Sequence, residues 1–262
     1  VTTPSFLVRE SSALGKPVHR LGLATTHGLD ERGIRSALER GLNYIFWNPT
    51  ARALTRVLRD VAKRDRDRLV ISTGPTLGYF PGSVRRRAER ALRLLGVDYL
   101  DVLQLYWLGW MSSFSGAVAA EMVKLKEEGK VRVLGASIHD RVRAGRLALD
   151  SPLSMLMIRY NAAHPGAEQD VFPHLAVRLP AVVAYTATRW GRLLRAPRGW
   201  TGRVPSAGDC YRFCLSSRHV DVTLCSPANA GQLEENLRAL DQGPLGGEEM
   251  DWMRAFGRAV HG

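Results

Sequence analysis

The chain has 262 residues, 45% of them apolar and 24% charged, enough for one large core and close to the roughly 250 residues of an α/β barrel domain. Its formal net charge is +12, yet the arginines are scattered over many segments without an aromatic-plus-basic reader motif, so nucleic acid is not an expected partner. The opening VTTPSFLVRE lacks a cationic stretch ahead of an apolar run and no segment approaches the ~18 unbroken apolar residues of a membrane span, so a cytoplasmic protein with no membrane partner is expected.

Short β-like runs alternate with amphipathic stretches along the whole chain, as in a parallel sheet with crossover helices. The predicted strands are RLGLAT from Arg20, NYIFW from Asn43, RLVIST from Arg68, YLDVLQLYW from Tyr99, VRVLGAS from Val131, SMLMIRY from Ser154, AVVAYTA from Ala181 and VDVTLCS from Val220. Between them the helical spacing of apolar residues predicts ERGIRSALERG, TARALTRVLRDVAKR, the Ser83 to Leu95 segment, AVAAEMVKLKEEGK, AEQDVFPHLAVR and QLEENLRAL, several of which end at Gly. The run Arg85-Arg86-Arg87 falls mainly on the outer face of its helix. The Pro-, Gly- and Arg-rich stretch from Arg195 to Asp209 reads as a loop at the barrel mouth. Eight alternating pairs favour a closed (β/α)8 TIM barrel occupying residues 1–262 as a single α/β domain.

Cys210, Cys214 and Cys225 lack the partner residues of a zinc signature, so no metal site is expected and core packing is their role. Chemistry in such a barrel is expected at the C-terminal ends of the strands.

Several segments resemble the aldo-keto reductase superfamily in the order that family requires: HRLGLAT, RALRLLGVDYLDVLQLYW, LKEEGKVRVLGAS, RYNAAHPGAEQDVFP, VVAYTA and QLEENLRAL. The resemblance implies the barrel fold, an NADP(H) cofactor and a small-molecule substrate. It also implies carbonyl reduction, in which a tyrosine protonates the carbonyl oxygen with help from a lysine, a histidine and an aspartate. A nearby ammonium, itself paired to a carboxylate, makes the phenol a better acid than its free pKa near ~10 allows.

Alignment to that pattern puts Phe46 at the carboxylate position, Gly74 at the lysine position and Tyr106 at the histidine position, and PTARALTRVL contains no tyrosine. Tyr106 alone among these retains an acidic proton. On the cofactor side, Ser137 is kept but Ile138 follows it, and Met157 stands where a glutamine is expected, so both amides that hold the carboxamide are replaced. The resemblance carries over to Tyr185 as the ring stacking on nicotinamide, to the Gly191-Arg192-Leu193 turn, and to Ser226, Gln232, Glu235 and Asn236 toward the adenosine phosphate and adenine.

Tyr106 and His139 are the candidate catalytic residues, with Asp140 either tuning the site or capping a helix. Trp47, Trp107, Trp110 and Tyr160 follow strand ends and are expected to line a pocket for a flat or apolar organic ligand. His164 and His174 are given no role. The expected function is ligand binding without tetrad reduction. The alternatives are an NADPH-dependent oxidoreductase using Tyr106 as proton donor, and a non-redox isomerase, hydratase or cyclase in the same pocket.

Overall fold

The computed structural model describes residues 6–109 and 112–261. An antiparallel hairpin, β1 (Val8–Ser11) and β2 (Lys16–His19), leads into a closed eight-stranded parallel barrel. The barrel strands are β3 (Leu21–Leu23), β4 (Tyr44–Phe46), β5 (Val70–Thr73), β6 (Leu100–Leu108), β7 (Val131–Ile138), β8 (Met155–Arg159), β9 (Ala181–Tyr185) and β10 (Val222–Cys225), with β10 closing on β3. All eight strands expected from the sequence are present. Around them run α1 (Glu31–Glu39), α2 (Arg52–Asp65), α3 (Pro81–Leu95), α4 (Gly116–Glu127), α5 (Arg141–Leu149), α6 (Ala167–Asp170), α7 (Ala207–Ser216), α8 (Ala230–Leu240) and α9 (Gly247–His261).

Strands buried on both faces must be apolar nearly throughout, and alternation decides which side chain goes where. Tyr44, Val70, Val102, Val133, Met155, Met157, Ala181, Val183, Val222 and Leu224 fill the barrel interior. Their sequence neighbours, such as Ile45, Leu103, Leu134, Ala136, Leu156 and Val182, face the helical shell. The hairpin plugs the lower end, with Leu14 and Val18 in the interior cluster. Beneath it the carboxylate of buried Asp101 is gripped by Lys16 at 2.9 Å, Arg66 at 2.7 Å and the Ile71 N–H at 2.8 Å.

α5 and α7 complete the eight expected strand-helix pairs, and the β1–β2 hairpin and α9 go beyond them. The β1–β2 hairpin is too short and too mixed in composition to carry a periodic signal, and α9 follows the last predicted strand-helix pair. One expected helix is corrected: AEQDVFPHLAVR forms a single turn, α6, followed by a 3-10 turn from Phe172 to His174. Pro173 supplies no N–H for an α-helical bond, so the helix stops ahead of it. Among the described residues no helix is long and apolar enough to cross a membrane.

Candidate functional site

The inward-facing side chains at the upper strand ends build the mouth. Alternation carries β8 from Met155 through Met157 to Arg159, and the register sets Arg159 opposite Tyr185 on β9 and Ser137 on β7 opposite Met157. Residues on one face lie two apart, so His139 stands one layer above Ser137. Phe46 ends β4 and its ring lies 5.3 Å from that of Tyr106. Tyr106, Met157 and Leu224 are each under a tenth exposed and form a closed floor, with Ser137 buried below.

The position expected to hold the lysine is closed by the backbone itself. Past Thr73, β5 runs so near β6 that a Cβ on Gly74 would lie 1.7 Å from the Gln104 carbonyl oxygen. Pro75 then accepts a bond from the Tyr106 N–H at 3.1 Å, fixing the chain in that path. No side chain, least of all a long ammonium, fits there without moving a strand. Beneath, Gln104 donates to the Ser72 hydroxyl at 2.9 Å.

Tyr106 makes a long 3.5 Å contact from its hydroxyl to the Trp47 carbonyl. Burial pushes its phenol pKa up, opposed by Thr73 and the Gly74 backbone, so Tyr106 is a weaker acid than free tyrosine. His139 instead meets Tyr185: the Tyr185 hydroxyl lies 2.9 Å from His139 Nε2, with the two rings edge to face. Burial raises the Tyr185 pKa to about 12 while Arg159 opposes the rise, and the His139 imidazole is lowered by burial and by the same Arg159. A phenol, an imidazole and a guanidinium therefore share one edge of the mouth. Arg159 went unnoticed in the sequence, although a charge in step with Met155 and Met157 on an inward face was the available signal. Asp140 caps α5, accepting from the Arg143 N–H at 2.9 Å.

A second feature gathers the residues expected to hold a nucleotide. A cleft of about 590 Å³ beside β10 is lined by Gly191, Ser226, Gln232, Glu235 and Asn236, together with His27, Thr188, Trp190 and the Ser206 start of α7. His27 binds the Ser226 backbone carbonyl through its ring at 3.1 Å. The loop above this cleft is strained, since Thr186, Arg189 and Trp190 all take φ of 50 to 55°, a left-handed conformation costly for residues with a side chain. Four expected members do not join the cleft: Ser137 is buried and Tyr185 pairs with His139 at the mouth, while Leu193 is fully buried and Arg192 is exposed outside the cleft lining. Ile138 is buried against the helical shell and Met157 in the barrel interior. Neither position offers an amide.

The expected aromatic lining is corrected at two of its four positions. Trp47 has no exposed surface, and its indole N–H donates to Thr55 Oγ1 at 2.9 Å. Tyr160 is buried between sheet and helices against Phe172 and Phe213, its hydroxyl donating to Glu168 at 2.7 Å. Both follow residues that face inward, Phe46 and Arg159, so the alternation sends them to the shell. Trp107 sits at the rim, 48% exposed, where a register shift in β6 and its own φ of 50° turn it outward. Trp110 lies outside the described residues. The cysteines Cys210, Cys214 and Cys225 are free and buried.

The family model described as the aldo/keto reductase family matches residues 30–198. Among curated proteins, the chain is 24% identical to the aldo-keto reductase YhdN of Bacillus subtilis over 184 residues, covering 63% of this chain and 55% of that protein. It is 26% identical to an NADH-specific methylglyoxal reductase of Escherichia coli over 95 residues, covering 36% and 29%. The chain thus spans about half or less of these relatives' lengths. The holo form of an aldo-keto reductase from Bacillus halodurans superposes with a TM-score of 0.81 at 20% identity, covering 96% of each chain. A Klebsiella pneumoniae aldo/keto reductase in complex with NADP and acetate superposes with 0.72 at 20% identity and 93% coverage of each. These structures share the fold of this chain.

Proposed function

The chain belongs to the aldo/keto reductase family, and from that premise we propose that its barrel mouth binds a small organic molecule without reducing it through the family's Asp, Tyr, Lys and His tetrad. The observation that carries this reading is the close approach of Gly74 to the Gln104 carbonyl, which leaves the lysine position no volume for a side chain. The missing carboxylate at Phe46 and the poorly acidic Tyr106 point the same way. The ligand has an apolar body resting on Phe46, Tyr106 and Met157, and a polar group directed at Arg159, His139 and Tyr185.

NADP(H) fits only in part. The cleft beside β10 has the size and residues for the nucleotide half. Among its described lining groups, however, His27 is the basic one and Glu235 the acidic one, so a 2′-phosphate meets no arginine or lysine there. The carboxamide side has lost its amides at Ile138 and Met157. No hydride step is therefore assigned to this mouth.

General acid-base help is worth ~10²–10⁴-fold, so NADPH oxidation by the purified protein in the presence of simple aldehydes is expected to be lower than a tetrad reductase's by at least about that factor. Brisk aldehyde reduction would sink the reading. Titration with NADPH and NADH by tryptophan fluorescence reports separately on whether the nucleotide is held.

The Tyr185 and His139 pair favours one second reading, a non-redox enzyme that moves a proton with these two groups while Arg159 holds an anionic atom of the substrate. It predicts turnover that needs no nicotinamide and is abolished by Tyr185→Phe, with Tyr106→Phe retaining it.

A further inference from the structure

Beside the mouth, on the outer side of the β8 loop, a cavity of about 530 Å³ lies between segment 162–169, the start of α5 and the last turns of α9. Its floor is small and tightly built: Gly257 of α9 comes so near Ala162 that a Cβ there would sit 2.1 Å from the carbonyl oxygen. Its wall is basic, with Arg141, Arg254, Arg258, His164 and His261 facing the space and Glu168 as the acidic member.

Among the described residues the carboxylates do not balance this wall. Arg254 bonds Glu168 at 2.9 Å, and Glu168 also receives the Tyr160 hydroxyl. Arg141 reaches Asp170 through Nε alone, at 2.7 Å. Arg258 has no carboxylate partner among the described residues. Behind His164, Arg159 and Arg189 add positive potential, and burial together with these cations holds the imidazole down at about 4. His164 Nδ1 lies 3.1 Å from Asn161 Oδ1, which also accepts the Ala163 N–H. That oxygen is an acceptor, so Nδ1 carries the ring proton and Nε2 remains to take up a second one.

We propose that this cavity binds an organic oxyanion, a phosphate- or carboxylate-bearing small molecule, clamped by Arg141, Arg254 and Arg258 with His164 as an additional N–H donor. Guanidinium groups match both anions with paired, charge-assisted bonds. The volume falls within the roughly 300–1,000 Å³ of small-molecule sites and exceeds what a bare inorganic ion fills. An anion also relieves the mutual repulsion of the arginines, and it makes protonation of His164 favourable in the bound state. This site is separate from the nucleotide cleft and from the ligand position at the mouth.

Isothermal titration of the whole chain with inorganic pyrophosphate and with citrate, at low salt, tests the assignment. The variants are Arg258→Glu and, as a control of equal charge change, Arg86→Glu on the exposed face of α3. Wild type is expected to bind at least one probe, and Arg258→Glu to weaken it about tenfold more than Arg86→Glu does, because only the former removes a charge at the site. Pyrophosphate alone marks a phosphoryl ligand, citrate alone a carboxylate. No binding by wild type, or a smaller difference between the two variants, overturns the proposal. A probe held in the nucleotide cleft would give that second result, since Arg258 does not line it.

Discussion

Gly74 ties backbone path to chemistry more tightly than any other single residue. Gly74→Ala puts a methyl group against the Gln104 carbonyl, and overpacking of this kind costs roughly 1–3 kcal/mol. Urea denaturation is expected to register a loss in that range, with Gly74→Lys losing at least as much and gaining no aldehyde reduction. At the mouth, Arg159 is one of the causes lowering the His139 pKa. Arg159→Met should therefore raise the imidazole pKa, which an NMR titration of the His139 ring proton measures; no change, or a fall, would contradict the placement of Arg159 beside it. Strand-end words let the sequence locate Phe46, Gly74 and Tyr106, and the structure sets Phe46 at the end of β4, Gly74 just past β5 and Tyr106 in β6. The reason Gly74 admits no side chain was not legible, since it depends on how closely two strands approach. Arg159 and the pairing of His139 with Tyr185 likewise arise between strands remote in sequence.

Among the elements, α3 and α4 are joined by charges that the sequence presented only as a basic run. Arg85 leaves the solvated face that Arg86 and Arg87 occupy and pairs with Glu121 and, at 2.8 Å, with Glu128, which also meets Lys130 at 3.0 Å. Arg85, then Lys130, holds the Glu128 carboxyl at about 2, below its ordinary 4.5. A folded-state pKa below the unfolded one gives stability that is complete above the unfolded value and lost as pH falls through the folded one. Thermal melting of wild type should thus decline between about pH 4.5 and 2, and Glu128→Gln should flatten that decline. An unchanged slope would show that the pair contributes nothing, as many exposed pairs do. Element boundaries were readable where periodicity was long. They were misread at α6, where Pro173 outweighs the pattern, and unread at the β1–β2 hairpin.

For the whole molecule, closure depends on what fills the barrel from below. Leu14, at the hairpin turn, and Val18 enter the interior cluster, and Lys16 of the same hairpin grips Asp101 on β6. Leu14→Ala is expected to cost about 2–5 kcal/mol by opening a cavity. Asp101→Ala is expected to cost up to about 3 kcal/mol by leaving the partly buried Lys16 and Arg66 without their carboxylate; chemical denaturation reads both. The family resemblance fixed the barrel and the order of its strands, because fold follows from patterns spread over the whole chain. Activity hangs on a few atoms, which patterns of that kind do not fix. The path of β5 at Gly74 also orders the routes open to sequence change. A lysine there requires the strand to shift away from Gln104 first. On the proposed reading, an engineer seeking tetrad chemistry in this chain would therefore exchange the β5–β6 pair together rather than substitute position 74 alone.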